Sequence, residues 1–555
     1  MIINKKSISY ISLYFFLFTT ICLSQPSARY RPFDWLLFKE SGSINSISEG
    51  YEFLYIGTSH GGIYRYNLYG NQYDFPITTA QGLENNNINS LHFDHSTGII
   101  WASSPGSLQY SYTREGDWRT VDFVDIGLRT NDRISQLGNS QNYIWAKANA
   151  VYVKLDKSSG ILAGIYPRPD ELNISWSSTA YYEQPDIVSI LNNYALMSGW
   201  MASGSKLIDG YGRYIDISSG LIGKHNDVWI GTSDGTLFQG DKTMEALFPT
   251  EFGIRGANIN ALFYHDDGLW IGSKGYNIGR GVTKLNTQNF QTDHYDFDVT
   301  INMSLTEVHS FYDFDNTLWV GGNSVVLVFD KAENYWRTLG EERGIPNSNI
   351  SSIVGDSNFV WIGSYNGIRQ IDRKTKREEP MGFEYLFYNH PVNDLALNDY
   401  GVWIASRTGI YLYDKNNPQI MNALSIGISY LDFPVSRVTS IFQKDELLYF
   451  ATNIGIVSFN LYEKFWDLAI PASTYKGLDV SDMLILGKFC FIGTVEGMFR
   501  VNLKSKRTRE YNFEFIGSVN SIENIGKYIW MGTSEGLIRF KWRNCLLYTS
   551  DAADE

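Results

Sequence analysis

A short apolar phrase with an aromatic centre recurs along almost the whole chain, and no other feature limits the fold so tightly. It reads Leu54-Tyr55-Ile56-Gly57-Thr58 near the start and Ile529-Trp530-Met531-Gly532-Thr533 near the end. Its aromatic anchors fall at 55, 101, 145, 229, 270, 319, 361, 403, 449, 491 and 530. Successive spacings are 46, 44, 84, 41, 49, 42, 42, 46, 42 and 39 residues. A period in the low forties, written in β-branched and aromatic residues, predicts a β-propeller with one blade per repeat. The gap of 84 is about two periods, so one blade has lost its signature. Placing it at Met197-Ser198-Gly199 gives about twelve blades.

Each anchor has a partner element upstream. Ile44, Ile134, Ile259, Val308, Ile350, Val392, Val438, Val480 and Val519 each stand 11 residues before their anchor, and only Ile88, at 13, slips. Short β-branched runs bounded by Gly, Asn and Asp read as strands. Turns such as Asp266-Asp267-Gly268 separate the two runs, because those residues accept left-handed backbone or bond to it. A second turn (Ser233-Asp234-Gly235) and a third strand (Ile410–Tyr413) follow. A fourth is legible at Trp118, Tyr335 and Phe465. The expected class is all-β, with four-stranded antiparallel blades. The anchors should fill the space between blades, and the glycine after each should permit close approach.

Propellers carry four to eight blades, so twelve divide into two. The expected boundaries are a first propeller of about seven blades over residues 25–340 and a second, incomplete one of about five over 341–544. Six plus six is the alternative. Phe33–Phe38 resembles a fourth strand without its own blade and should complete one far along the chain, near Trp319. The last blade has no fourth strand of its own.

Lys5 and Lys6 precede an apolar run from Ile8 to Ile21, which reads as a secretory signal peptide over residues 1–24 and places the mature chain in the periplasm or outside the cell. Ile21 before Cys22 argues against a lipoprotein site. No later run is long and apolar enough to cross a bilayer. Residues 545–555 match nothing in the repeat and resemble a translated sequencing adapter. Without both ends, the net charge moves from −13 to −12. An acidic exported protein is a poor binder of nucleic acid or anionic lipid. One cysteine, Cys490, then remains, and reads as a small core hydrophobe.

Catalytic signals are false alarms in this context. Gly57–Gly61, Gly231–Gly235 and Gly532–Gly536 spell G-x-S-x-G. A nucleophile elbow needs a strand-to-helix turn, and these lie between strands. Ser59, Ser233 and Ser534 therefore read as turn residues. Asp313-Phe314-Asp315-Asn316 lacks the Gly and distal Glu of a calcium loop. His92 and His95, three apart on a strand, face opposite sides and make a poor metal pair. No catalytic residue, metal site or cofactor is expected. Binding candidates lie in the irregular stretch 157–186, at Tyr166, Trp176, Tyr181 and Tyr182, because loops that interrupt a rigid scaffold often bind.

The composite phrase resembles the two-component-regulator propeller repeat. Ile350-Ser351-Ser352-Ile353 through Val360-Trp361-Ile362-Gly363-Ser364-Tyr365-Asn366-Gly367-Ile368 is the cleanest copy. The lead-ins Gly82–Ile88 and Gly344–Ile350 fit as well. The resemblance spans about residues 33–542 and is specific for fold and weak for function. In that family, paired seven-bladed propellers form the periplasmic sensor of hybrid histidine kinases, and related pairs occur in surface and secretion proteins. It implies a non-enzymatic module that binds an oligosaccharide or a protein partner, a homodimer if it is a receptor. The alternatives are a surface or secretion scaffold and a propeller enzyme acting on polysaccharide.

Overall fold

The computed structural model describes residues 30–113, 116–178, 185–204, 206–223, 227–241, 243–265, 268–274, 281–297 and 307–543. The expected signal peptide, the adapter-like tail, and Tyr181 and Tyr182 lie outside them. The described chain is a multi-blade, nearly all-β propeller protein, as the repeat predicts.

The Phe491 blade shows how the repeat becomes structure. Val480–Leu486, Phe489–Thr494, Gly497–Asn502 and Thr508–Tyr511 pair in sequence order, all antiparallel. Its second strand is buried along nearly its whole length instead of alternating, because neighbouring blades cover both faces. The anchors fill those interfaces: Trp101, Trp145, Trp319, Trp361 and Trp403 are 0% exposed.

Two devices join successive blades. The first strand of nearly every blade carries a one-residue bulge just after its leading Ile or Val, as between Val519 and Ser521. A bulge re-aims a side chain, and here the bulged residue bonds a carbonyl of the next blade. Asn45 Nδ2 donates to Ile88 O at 2.8 Å, Asn393 Nδ2 to Val438 O at 2.7 Å and Ser218 Oγ to Ile44 O at 2.7 Å. The anchor glycine is the second device. A Cβ on Gly57 would lie 2.8 Å from Ile88 Cγ2, and one on Gly363 2.9 Å from Val392 Cγ1. The close approach is therefore made by a side chain of the next blade.

These contacts order the blades. Seven of them, anchored at Trp270, Trp319, Trp361, Trp403, Tyr449, Phe491 and Trp530, form a ring. It closes where Asn520 Nδ2 donates to Ile259 O at 3.0 Å and a Cβ on Gly532 would stand 2.7 Å from Ile259 Cγ2. The other four run in the order Trp229, Tyr55, Trp101, Trp145. A Cβ on Gly231 would meet Ile44 at 2.5 Å, and Asn139 Nδ2 donates to Asp94 Oδ1 at 2.8 Å. Beyond the Trp145 blade, the segment Ser175–Ser178 crosses toward the Tyr55 blade. Ser175–Trp176 pairs with Gly138 and Asn139, and Ile47 N donates to Ser178 Oγ at 2.5 Å. Among the described residues, no bond of this kind joins the Trp145 and Trp229 blades.

The expected division is corrected. The four-blade unit comes first and the complete seven-blade ring second, so neither seven plus five nor six plus six holds. The ring is complete because Trp35–Phe38 supplies the missing fourth strand of the Trp530 blade, pairing Trp35↔Phe540 and Leu37↔Ile538. The closing strand is fully buried, and Trp35 stacks on Phe540 with centroids 3.9 Å apart. It thus completes a far blade as expected, but the one at Trp530, not one near Trp319. Eleven sheets form among the described residues. The twelfth blade does not: Ala195–Leu196, Met201–Ser203 and Lys206–Ile208, with no aromatic anchor among them, join the Trp229 blade in one seven-stranded sheet.

The position after the bulge is Ser or Asp in several blades and captures an N–H of the next. Leu91 N donates to Ser46 Oγ at 3.0 Å, Ile441 N to Asp394 Oδ2 at 2.8 Å and Ile522 N to Asp482 Oδ2 at 2.7 Å. Burial pushes the Asp394 carboxyl up to about 6 and, with the nearby Asp394 charge, the Asp482 carboxyl up to about 7, outweighing the N–H donors.

Two expectations follow. Gly532→Ala should destabilise the protein by about 1–3 kcal/mol, since the added methyl overlaps Ile259 at the ring closure; urea unfolding that left the midpoint unchanged would contradict that contact. For the acids, folded values raised above the unfolded carboxyl value mean that the folded state holds extra protons. Their stabilisation is full below about pH 4 and is lost as pH rises through about 6 to 7. Asp482→Asn should therefore gain on the wild type between pH 5 and pH 8 in urea midpoint. Parallel pH profiles would refute the assignment.

Candidate functional site

The ring and the four-blade unit meet along the closing strand. Its carbonyl edge is held by the four-blade unit: Gln81 Nε2 donates to Trp35 O at 2.7 Å and to Pro32 O at 3.1 Å. Gln81 is itself fixed by a capping box with Thr78. After Phe38 the chain crosses as Lys39–Ser43, where Tyr64 Oη donates to Lys39 O at 2.7 Å. The return crossing runs beside it, bridged in parallel at Glu40 and Ile254.

A cleft of about 850 Å³ opens beside this double crossing. The four-blade unit lines it with Ser59 and His60 from one turn and with Thr79 and Leu83–Asn87 from the connection between the Tyr55 and Trp101 blades. The ring supplies Ala257, Asn512–Phe515, Ser534 and Glu535, and the crossing adds Lys39 and Glu40. Its polar wall is organised locally. Thr79 N donates to Asn86 Oδ1 at 2.9 Å, Gly62 N to Asn86 O at 2.8 Å and Asn87 N to Asn85 Oδ1 at 2.8 Å. Asn side chains that bond nearby backbone in this way fix irregular loops. The apolar wall is Tyr30 against Phe513 and Phe515, with centroids 4.7 and 5.0 Å away, and Phe513 rests on Trp35 at 5.6 Å. Burial raises the Tyr30 phenol above its ordinary value. Lys39 Nζ spans the two units to Glu535 Oε2 at 3.0 Å.

The sequence-derived candidates do not converge here. Tyr166 ends the strand Leu162–Tyr166, the fourth strand of the Trp145 blade, so that part of the stretch is blade and not an irregular loop. Its ring lies 5.7 Å from Trp145, and the Lys154 ammonium sits over both. That ammonium is already paired with Asp170 at 2.9 Å and Glu171 at 2.7 Å. Trp176 is at the opposite edge of the same sheet, 6.0 Å from Tyr152. Of the cleft, the sequence had marked the lead-in Gly82–Ile88, as part of the repeat, and Ser59 and Ser534, as turn residues, none of them as a binding site.

The three G-x-S-x-G serines share one structural task. Ser43 N donates to Ser59 Oγ at 2.9 Å, Asp216 N to Ser233 Oγ at 3.2 Å and Ser518 N to Ser534 Oγ at 3.1 Å. Each pins the approach to its blade's first strand onto the turn after the second. Ser59 also lies 3.0 Å from His60 Nδ1. His92 is buried against Asn139 Oδ1 at 2.9 Å, and burial holds its imidazole down at about 4, hence neutral. Asp313 and Phe314 end the strand Val308–Phe314, and Asp315-Asn316 is the turn before Thr317–Gly322. Cys490 is a buried free thiol. Among the described residues, no group of three or more His, Cys, Asp or Glu is placed to hold a metal ion, and no helix is long and apolar enough to cross a membrane.

No family model matches the chain, and no curated protein does. Solved structures similar to it include the extracellular domains of two hybrid two-component systems of B. thetaiotaomicron. One is 14% identical, with 95% of this chain and 77% of that chain covered and a TM-score of 0.43. The other is 12% identical, with 93% and 71% covered and a TM-score of 0.42. BamB from Moraxella catarrhalis is 14% identical over 55% of this chain and 88% of its own, with a TM-score of 0.36.

Proposed function

We propose that this chain is a non-enzymatic, extracytoplasmic ligand-binding module, the sensor part of a two-component signalling receptor, and that the cleft at the junction of its two units is the ligand site. The observation that carries the reading is the cleft itself, at about 850 Å³ and walled from both units. A ligand there touches both bodies at once, so binding energy is available to favour one relative placement over another. The repeat's resemblance to sensor propellers supports the receptor assignment. The engagement of Ser59, Ser233 and Ser534 with turn backbone supports a non-enzymatic reading. A scaffold role is the second reading. It is favoured by large aromatic side chains left exposed on the ring, Tyr385, Tyr388, Tyr430 and Phe433, each more than 60% exposed.

Soluble oligosaccharides, peptides and amines can be screened by thermal shift. A ligand present at 100 times its Kd should stabilise the folded chain by about 2.7 kcal/mol. Asn512→Trp, which puts an indole into the cleft from an exposed position, should abolish that stabilisation and leave the unliganded Tm unchanged. A ligand that stabilises Asn512→Trp as well as the wild type would place the site elsewhere.

Ser233→Ala should cost about 1 kcal/mol, the net worth of one hydrogen bond. A Ser233→Ala variant that lost a measured ester hydrolysis would overturn the non-enzymatic reading.

A further inference from the structure

We infer that the cleft selects a small linear amine carrying two or more ammonium groups. This rests on the cleft being the binding site, and it follows from the charge and shape of the walls. Four carboxylates line the space, at Glu40, Glu84, Glu514 and Glu535, against one lysine. Lys39 is already committed to Glu535 at 3.0 Å. Glu84 and Glu514 are different: both are exposed in the cleft, and among the described residues neither carboxylate has a hydrogen-bond or ion-pair partner. Glu84 belongs to the four-blade unit and Glu514 to the ring, so the walls present one unpaired negative charge each. Two unpaired charges, one from each unit, suit a ligand with a cation at each end.

The apolar wall fits the same chemistry. Phe513 and Phe515 are stacked 5.5 Å apart, with Tyr30 tilted against Phe513 and edge-on to Phe515. Aromatic faces attract an ammonium through their quadrupole and also receive a methylene chain. Among the described residues Lys39 is the sole lysine or arginine that lines the cleft, so an anionic ligand would meet four carboxylates with little to offset them. The field of an acidic chain, formally −13, draws cations toward the cleft from a distance.

The experiment is isothermal titration of the protein with spermidine and, separately, with cellotetraose and chitotetraose at low and at physiological salt. Spermidine is expected to bind, to weaken as salt rises, and to lose about tenfold in affinity in Glu84→Gln/Glu514→Gln, as removal of two ion pairs predicts. The exposed pair Asp432→Asn/Glu446→Gln, outside the cleft, should leave affinity unchanged and so exclude diffuse attraction to an acidic surface. Binding of a neutral oligosaccharide that Asn512→Trp abolishes, with no spermidine binding, would overturn the inference and leave the cleft as the ligand site. Spermidine binding equal in the Glu84→Gln/Glu514→Gln and control variants would also overturn it. No cleft-dependent binding by any of the three probes would count against both readings.

Discussion

Everything in this molecule depends on how one blade hands over to the next, and a single bulged residue does most of that. In a regular first strand the side chain after the leading Ile or Val would point to the opposite face of the sheet from it. The bulge turns it outward, so Asn45, Ser218, Asn393 and Asn520 reach a carbonyl one blade further on. The anchor glycine leaves room for the partner's leading Ile or Val. Contacts of this kind are individually modest, but they recur at most junctions and are mutually consistent, and a stacked repeat gains its stability from its neighbour terms.

The ring also depends on a strand borrowed from the far end of the chain. Trp35–Phe38 covers the otherwise open edge of Leu537–Phe540, which would be a template for unwanted pairing. Placing that strand before the four-blade unit makes the unit an insertion between the ring's last and first elements. Both crossings must then pass through the same narrow region, bridged at Glu40 and Ile254. The cleft lies beside them, where loops of the ring and of the four-blade unit flank the crossing.

The buried acids show that the inter-blade contact is built for geometry more than for strength. Ser46 and Ser352 take the next blade's N–H with a hydroxyl. Asp394 and Asp482 take it with a carboxylate that burial disfavours. A carboxylate offers a second oxygen, and each aspartate uses it to hold the N–H of the following residue of its own strand.

The sequence alone determined the repeat unit: the anchors, the leading Ile or Val eleven residues upstream, the antiparallel pairing and the apolar second strand. These are legible because each depends on residues within one period of each other. The order and number of blades were not. The partner of Trp35–Phe38 is some five hundred residues away in sequence, and no local pattern distinguishes ring closure at Ile259 from closure anywhere else. Nor could spacing show that 195–208 joins the Trp229 sheet, since its missing anchor looks the same as a degenerate blade. The candidate site was hidden for the same reason. Glu84 and Asn85 lie in a lead-in that reads only as repeat, Asn512 and Phe513 in a connection between strands, and only the meeting of two bodies makes them one surface. Tyr166 and Trp176, close in sequence, were separated instead, because a five-stranded sheet places its first and last strands at opposite edges.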